Sequence, residues 1–166
     1  MSEIRSAIEA DAQALADLYN HYVTNTVTTF EEDPVVALAM WDRIEQVQSE
    51  FDLPWIVLEQ NGQLLGYACA VRWKMRSAYR FSCESTIYLH HDAIGMGLGA
   101  ALYQVLLDKL RERDIHTVLG GIALPNESSV ALHEKLGFEK VAHLREVGYK
   151  FGQWVDIGYW QLDLRG

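Results

Sequence analysis

Cysteine is scarce. Cys69 and Cys83 are the only two, and they form no CxxC pair. That spacing argues against a disulfide-stapled scaffold and a thiolate zinc centre, and it fits a reducing cytoplasm. No apolar run reaches the roughly 18 residues that a membrane span needs. The first residues, MSEIRSAIEAD, are acidic and carry no signal-peptide core. Positive charge is also in deficit: 14 Lys and Arg stand against 23 Asp and Glu, a formal net charge of −9. A field of that sign repels nucleic acid and anionic lipid unless basic residues are concentrated somewhere. Lys74, Arg76 and Arg80 are the only dense basic cluster. Repeats, low-complexity stretches and linker-like segments are absent. The expectation is a cytoplasmic protein with neither a nucleic-acid nor a membrane partner.

What is present suits one folded domain over 1–166. The chain has 166 residues, 49% of them hydrophobic. Ile4 to Ile8 reads as a strand. Leu15, Leu18, Tyr19 and Tyr22 recur at helical spacing and predict a helix over 10–22. A second helix is predicted from Val35 to about Glu50. Strands over 55–59 and 64–73 flank Asn61-Gly62, a strong hairpin signal. A strand over 82–90 follows. The next helix, over 97–113, presents Leu98, Leu102, Val105, Leu106 and Leu110 on one face. A strand over 116–123 precedes a helix over 126–136 that Gly137 closes. Two strands, 138–147 and 154–164, end the chain around a 149–152 turn. The order β-α-α-β-β-β-α-β-α-β-β predicts an α/β (α+β) fold, a mixed sheet with helices on both faces.

HDAIGMGLGAAL, residues 91–102, places Gly95, Gly97 and Gly99 between a strand and a helix. A dinucleotide fingerprint needs GxGxxG in a first βαβ unit, and a Walker loop needs GK[ST]; neither is here. Gly97 and Gly99 still let a ligand approach the backbone, and the N-terminal amides of the following helix attract anions. Such a turn can also serve only to pack strand against helix.

The loop Ile94-Gly95-Met96-Gly97-Leu98-Gly99 resembles the [QR]-x-x-G-x-[GA] motif of GNAT-type acetyltransferases. Ile94 stands where that motif has Gln or Arg, and Met96 where a basic residue is common. A second run, from Asn126 through Ser129, His133 and Lys135 to Gly137-Phe138, is similar to the family's N-x-x-S-x-x-[LF]-[YH]-x-K-x-G-F. The stretches 19–23, 29–32, 73–88 and 144–156 look like the phosphinothricin and methionine sulfoximine N-acetyltransferases. The resemblance covers nearly the whole chain. It implies a mostly antiparallel sheet, acetyl-CoA as co-substrate, no metal, an amino-acid-like acceptor acetylated on its α-amine, and a homodimer.

By that resemblance Ile94, Gly95, Met96, Gly97, Leu98, Gly99 and Ala100 bind CoA, with its pyrophosphate on the amides of Gly97 to Ala100. Asn126 and Ser129 flank the pantetheine arm, and backbone amides near Tyr88 and Leu89 polarise the thioester carbonyl. Asn126 can equally be a simple helix cap. An amino-acid ammonium must lose a proton before it attacks. Strand alternation puts Glu84, Thr86, Tyr88 and His90 on one face, opposite Cys83 and Ser85. Glu84 matches the family's general base, although a strand carboxylate can equally face solvent or pair with Arg80. His133 stands where many such enzymes carry a tyrosine acid; alternatively it is a helix histidine bonded to backbone. Lys74, Arg76 and Tyr79 match the loop that receives the acceptor's anionic side chain, with Phe30 as a pocket wall and Thr86 beside Glu84. His90 and His91 are set aside as metal ligands, because adjacent strand residues face opposite ways. The rival readings are a CoA-binding sensor without turnover and an enzyme that acetylates peptide N-termini or polyamines.

Overall fold

The computed structural model describes residues 2–165. Seven strands form one open sheet in the order β1-β2-β3-β4-β5-β7-β6. They are β1 (Ser2–Ser6), β2 (Trp55–Gln60), β3 (Gln63–Arg72), β4 (Ser82–Leu89), β5 (Thr117–Leu124), β6 (Glu139–Lys150) and β7 (Gln153–Asp163). All neighbours are antiparallel except β4 and β5. That parallel pair touches only over Ser82–Glu84 and Thr117–Leu119, and beyond it the two strands have no further register.

Four helices cover the sheet: α1 (Ala12–Asn25), α2 (Ala37–Glu45), α3 (Leu98–Glu112) and α4 (Glu127–Lys135). Alternation along β4 shows that both faces are covered. The Tyr88 ring meets Tyr19 and Tyr22 of α1, whereas the Ser85 hydroxyl bonds Tyr103 of α3. Trp55 to Leu58 of β2 are accordingly buried on both sides. On α3, Leu102, Tyr103, Leu106, Leu107 and Leu110 are at most 1% exposed. Fully burying one such aliphatic side chain stabilises the fold by about 1.5–3 kcal/mol.

Local chemistry sets the boundaries. Asn61-Gly62 and Phe151-Gly152 are two-residue turns with both residues at positive φ, the hairpin geometry whose twist matches paired strands. The second turn is tighter than the predicted 149–152 connection, so β6 and β7 run longer. The predicted helix over 35–50 is broken at both ends. The Asn20 side chain accepts from Val35 N–H at 2.7 Å and donates to its carbonyl at 2.8 Å, which holds that residue extended. After α2 the chain continues as a π-helical turn over Gln46–Glu50. Asp11 shortens β1 at its end: its carboxylate accepts from Ile8 N–H and forks onto Arg5.

Candidate active site

Where β4 leaves β5 the sheet opens into a cleft of about 560 Å³. The β4 backbone forms one wall. His90 N–H bonds Leu65 carbonyl at 2.7 Å, continuing the β3–β4 ladder. Alternation along that ladder aims the N–H groups of Ile87 and Leu89 at the open side. Tyr88 N–H belongs to the ladder instead. Of the two residues expected to polarise a carbonyl, Leu89 therefore has the free amide, and Ile87, not anticipated, has the second. The Leu89 carbonyl is held by the Tyr22 hydroxyl.

The glycine loop forms the floor. Gly97 is the N-cap of α3 at φ 76°, and Gly95 has φ 86°. A Cβ on either would meet nothing within 4 Å. Both therefore face open space, and their backbone can be approached by a ligand. Ile94, Gly95, Gly97, Gly99 and Ala100 line the cleft. Met96 and Leu98 do not: Met96 is exposed, and Leu98 packs against the core. The opposite wall is the start of α4, where the Asn126 side chain accepts from Ser129 N–H and both residues border the cleft. A diphosphate with an extended arm fits this donor set.

Glu84 and His133 both line the cleft, from opposite faces of the sheet. A Cβ on Gly121 would lie 3.3 Å from Glu84 Oε2, and a Cβ on Gly120 would lie 2.7 Å from His133 Nε2. Consecutive strand residues point to opposite faces, so the two side chains approach β5 from its two sides. Glu84 has no hydrogen-bond partner among the described residues. Burial raises its pKa, and the charge of Lys74 pulls it partly back. Arg80 lies over Phe81 and bonds Ser77 carbonyl instead of Glu84.

The His133 side chain is saturated. Its Nδ1 lies 2.7 Å from Ser129 carbonyl, which can only accept, so Nδ1 carries the proton. Nε2 then accepts from the Tyr103 hydroxyl at 3.0 Å, and Tyr103 in turn is bonded to Ser85. Burial lowers the His133 pKa, opposed by the Ser129 bond. Cys83 is fully buried beside this network, its thiol pushed up to about 12 by burial.

A second cavity, of about 400 Å³, lies between the sheet and α2, and Thr29, Thr86 and Tyr88 border both cavities. Its wall is aromatic and apolar, with Met40, Phe51, Trp55 and Tyr67, and Arg43 and Arg72 reach it. The Trp55 indole N–H is buried without a partner among the described residues. Of the expected acceptor residues only Thr86 lines this space. Lys74 sits over Trp73, its Nζ 4.9 Å from the ring centroid. Arg76 and Tyr79 are exposed and border neither cavity. Phe30 lies instead against Gly148 of β6, where a Cβ would collide with its ring. Arg43, Phe51 and Trp55 escaped the sequence reading because each belongs to a different element and no local motif connects them.

His90 also departs from expectation. β4 ends at Leu89, and His91–Ala93 form a 3₁₀ turn. Strand alternation no longer applies, and the His90 and His91 rings stack at 4.3 Å.

Known proteins resemble this chain along nearly its whole length. Residues 4–158 match the acetyltransferase (GNAT) domain family. A phosphinothricin N-acetyltransferase of Streptomyces viridochromogenes is 40% identical over 97% of this chain and 87% of its own. An L-methionine sulfoximine/L-methionine sulfone acetyltransferase of Salmonella typhimurium is 34% identical over 97% and 94%. Among solved structures, a GNAT superfamily phosphinothricin acetyltransferase from Sinorhizobium meliloti in complex with AcCoA has a TM-score of 0.93. It is 32% identical, with 98% and 88% of the two chains covered.

Proposed function

This chain belongs to the GNAT acetyltransferases, and from that premise we propose that it moves the acetyl group of acetyl-CoA to the α-amine of a small, polar-tipped amino acid, directly and within a ternary complex. The observation that carries this reading is the junction of the two cavities at Thr29, Thr86 and Tyr88, bordered on the cleft side by Glu84. One cavity has the open glycine backbone that a pyrophosphate needs. The other has the size and lining for an amino-acid side chain.

Acetyl-CoA supplies an activated thioester. The chain's residues do the rest. Gly95 and Gly97 allow a phosphate onto the amides that open α3, and Asn126 fixes the edge of α4 along the arm. The amides of Ile87 and Leu89 face the position of the thioester carbonyl and favour charge on its oxygen as the amine attacks. Glu84 takes the ammonium proton. Its raised pKa makes it a stronger base than an ordinary carboxylate. The cysteines support direct transfer, since both are buried and the Cys83 thiol resists ionisation.

His133 takes a positioning role in this scheme. An imidazole with its proton committed to a carbonyl donates no second proton unless it becomes charged, and burial opposes that. It joins α4 to α3 through Tyr103, alongside the Asn126 edge.

The acceptor's side chain enters the second cavity. Its aliphatic part packs on the Phe51 side of the cavity, and an oxygen at its tip is met by the Arg72 guanidinium, which lies over the Phe51 ring. Sulfone, sulfoximine and phosphinate groups have such an oxygen; methionine has none. The resemblance-based homodimer is part of the same reading, and an exposed apolar stripe on the β6–β7 hairpin supports it. The test is kcat/KM for methionine sulfone, methionine sulfoximine, phosphinothricin, methionine, spermidine and a peptide N-terminus, read by CoA release. The oxygen-tipped amino acids should lead. A leading peptide or polyamine would refute the acceptor class, and no turnover with any amine would favour a CoA sensor.

A further inference from the structure

The turn between β4 and the glycine loop gathers side chains that acetyl transfer does not use. His90, His91 and Asp92 are consecutive, and one ligand-capable atom from each lies within 4.8 Å of the other two. The Asp92 carboxylate lies beside the stacked rings, 3.5 Å from His91 Nε2 and 3.8 Å from His90 Nδ1. Asp92 N–H donates to His90 Nδ1 at 3.1 Å, which fixes that ring over the turn. On its other side His91 stacks against His21 of α1, with centroids 4.4 Å apart and planes 21° apart. Helix α1 thus supports the His91 ring from behind.

We propose that His90, His91 and Asp92 form a binding site for a borderline divalent cation of the zinc class. Two imidazoles and a carboxylate are the donor set such ions prefer, and magnesium or calcium would favour oxygen ligands. A tetrahedral zinc with bonds of about 2.0 Å brings its ligand atoms to roughly 3.3 Å from one another. The cluster is looser than that, and its parts can close. Asp92 is 79% and His91 47% exposed, so these two side chains can turn toward the more covered His90, whose ring lone pair passes from Asp92 N–H to the ion. Three protein ligands leave a fourth position open to water. Ile94 and Gly95 follow after Ala93, so a bound ion cross-links the turn by which the chain enters the CoA cleft. The inference stands on this turn's geometry and does not depend on the acceptor.

The probe is zinc chloride, titrated calorimetrically into the full chain in a non-chelating buffer without CoA. One zinc per chain is expected, and binding should weaken on acidification because protons compete for the imidazoles. The double variant His90→Ala/His91→Ala should abolish uptake. Asp92→Asn should weaken it beyond the about 10–100-fold that loss of a mere supporting partner costs. His116 and His143 also lie beside carboxylates, Asp163 and Asp156, and serve as controls: His116→Ala and His143→Ala should bind as the parent does. Thermal unfolding of each variant without metal verifies the fold. Absent zinc uptake, uptake that survives loss of both His90 and His91, or uptake that vanishes with His116 or His143 would overturn the site. Equal affinity for magnesium would overturn the ion class.

Discussion

Glu84 joins the chemistry to pH. In the proposed reaction its carboxylate is the working form, and burial raises the pH at which that form appears. The kcat/KM profile should therefore carry an acid limb above the ordinary carboxylate value of 4.5. Lys74 holds the pKa down, so Lys74→Ala should move that limb to higher pH. The displacement should shrink as salt is added, because Lys74 is exposed. An unmoved limb at low ionic strength would mean that another group titrates. Glu84→Gln should lower kcat by about 10²–10⁴ while CoA still binds. The same exchange should raise Tm near neutral pH. A folded pKa above the unfolded one means stability present below the unfolded value and lost as pH rises through the folded value. Glutamine cannot ionise, so its advantage should vanish below pH 4.5. A Gln variant that is fully active, or less stable at pH 7, would make Glu84 a structural residue. Period-two alternation sets Glu84 on one face with Thr86 and Tyr88. Its role as base comes from the family resemblance, since alternation alone leaves a solvent-facing carboxylate open. The environment of His133 was not legible in the sequence, since Tyr103, Ser85 and Gly120 come from three other elements.

Among elements, the glycine loop separates backbone strain from ligand room. Gly97 and Gly62 share positive φ, 76° and 78°, and a Cβ on either meets nothing within 4 Å. An alanine at either should cost about 1–2 kcal/mol, the usual left-handed penalty. Only Gly97 borders the cleft. Gly97→Ala should weaken CoA by at least about tenfold, or 1.4 kcal/mol, whereas Gly62→Ala should leave CoA affinity unchanged. Calorimetry on both folded variants decides it, and equal CoA affinity in the two would remove the pyrophosphate from this loop. Hairpins and loop could be read from sequence because their signals are local: Asn-Gly in one case, paired glycines before an apolar helix in the other. The late start of α2 could not, because what delays it is Asn20, fifteen residues upstream of Val35. Trp55 and Arg43 meet across the second cavity only once β2 and α2 are packed.

The whole molecule poses a problem of surface. Strand order leaves β6 as an edge twelve residues long. Val147, Tyr149, Phe151 and Trp154 on this hairpin are each more than half exposed, and the Tyr149 and Trp154 rings meet at 4.7 Å. On the inner side Lys150, 1% exposed, donates to Thr29 carbonyl, which ties the hairpin to the connection that borders both cavities. A long apolar edge left open invites association. Two copies each carrying −9 repel, so contact between them must rest on the apolar stripe, and added salt should not dissolve it. Sedimentation should show a dimer at both low and moderate ionic strength. Val147→Glu/Trp154→Glu should yield monomers that keep the circular dichroism of the parent, because both side chains point away from the core. A parent chain that sediments as a monomer at every concentration would discard the dimer. A dimer untouched by the double variant would move its interface elsewhere. Monomers with reduced turnover would further show that the hairpin's hold on Thr29, through Lys150, needs the partner to stay in place.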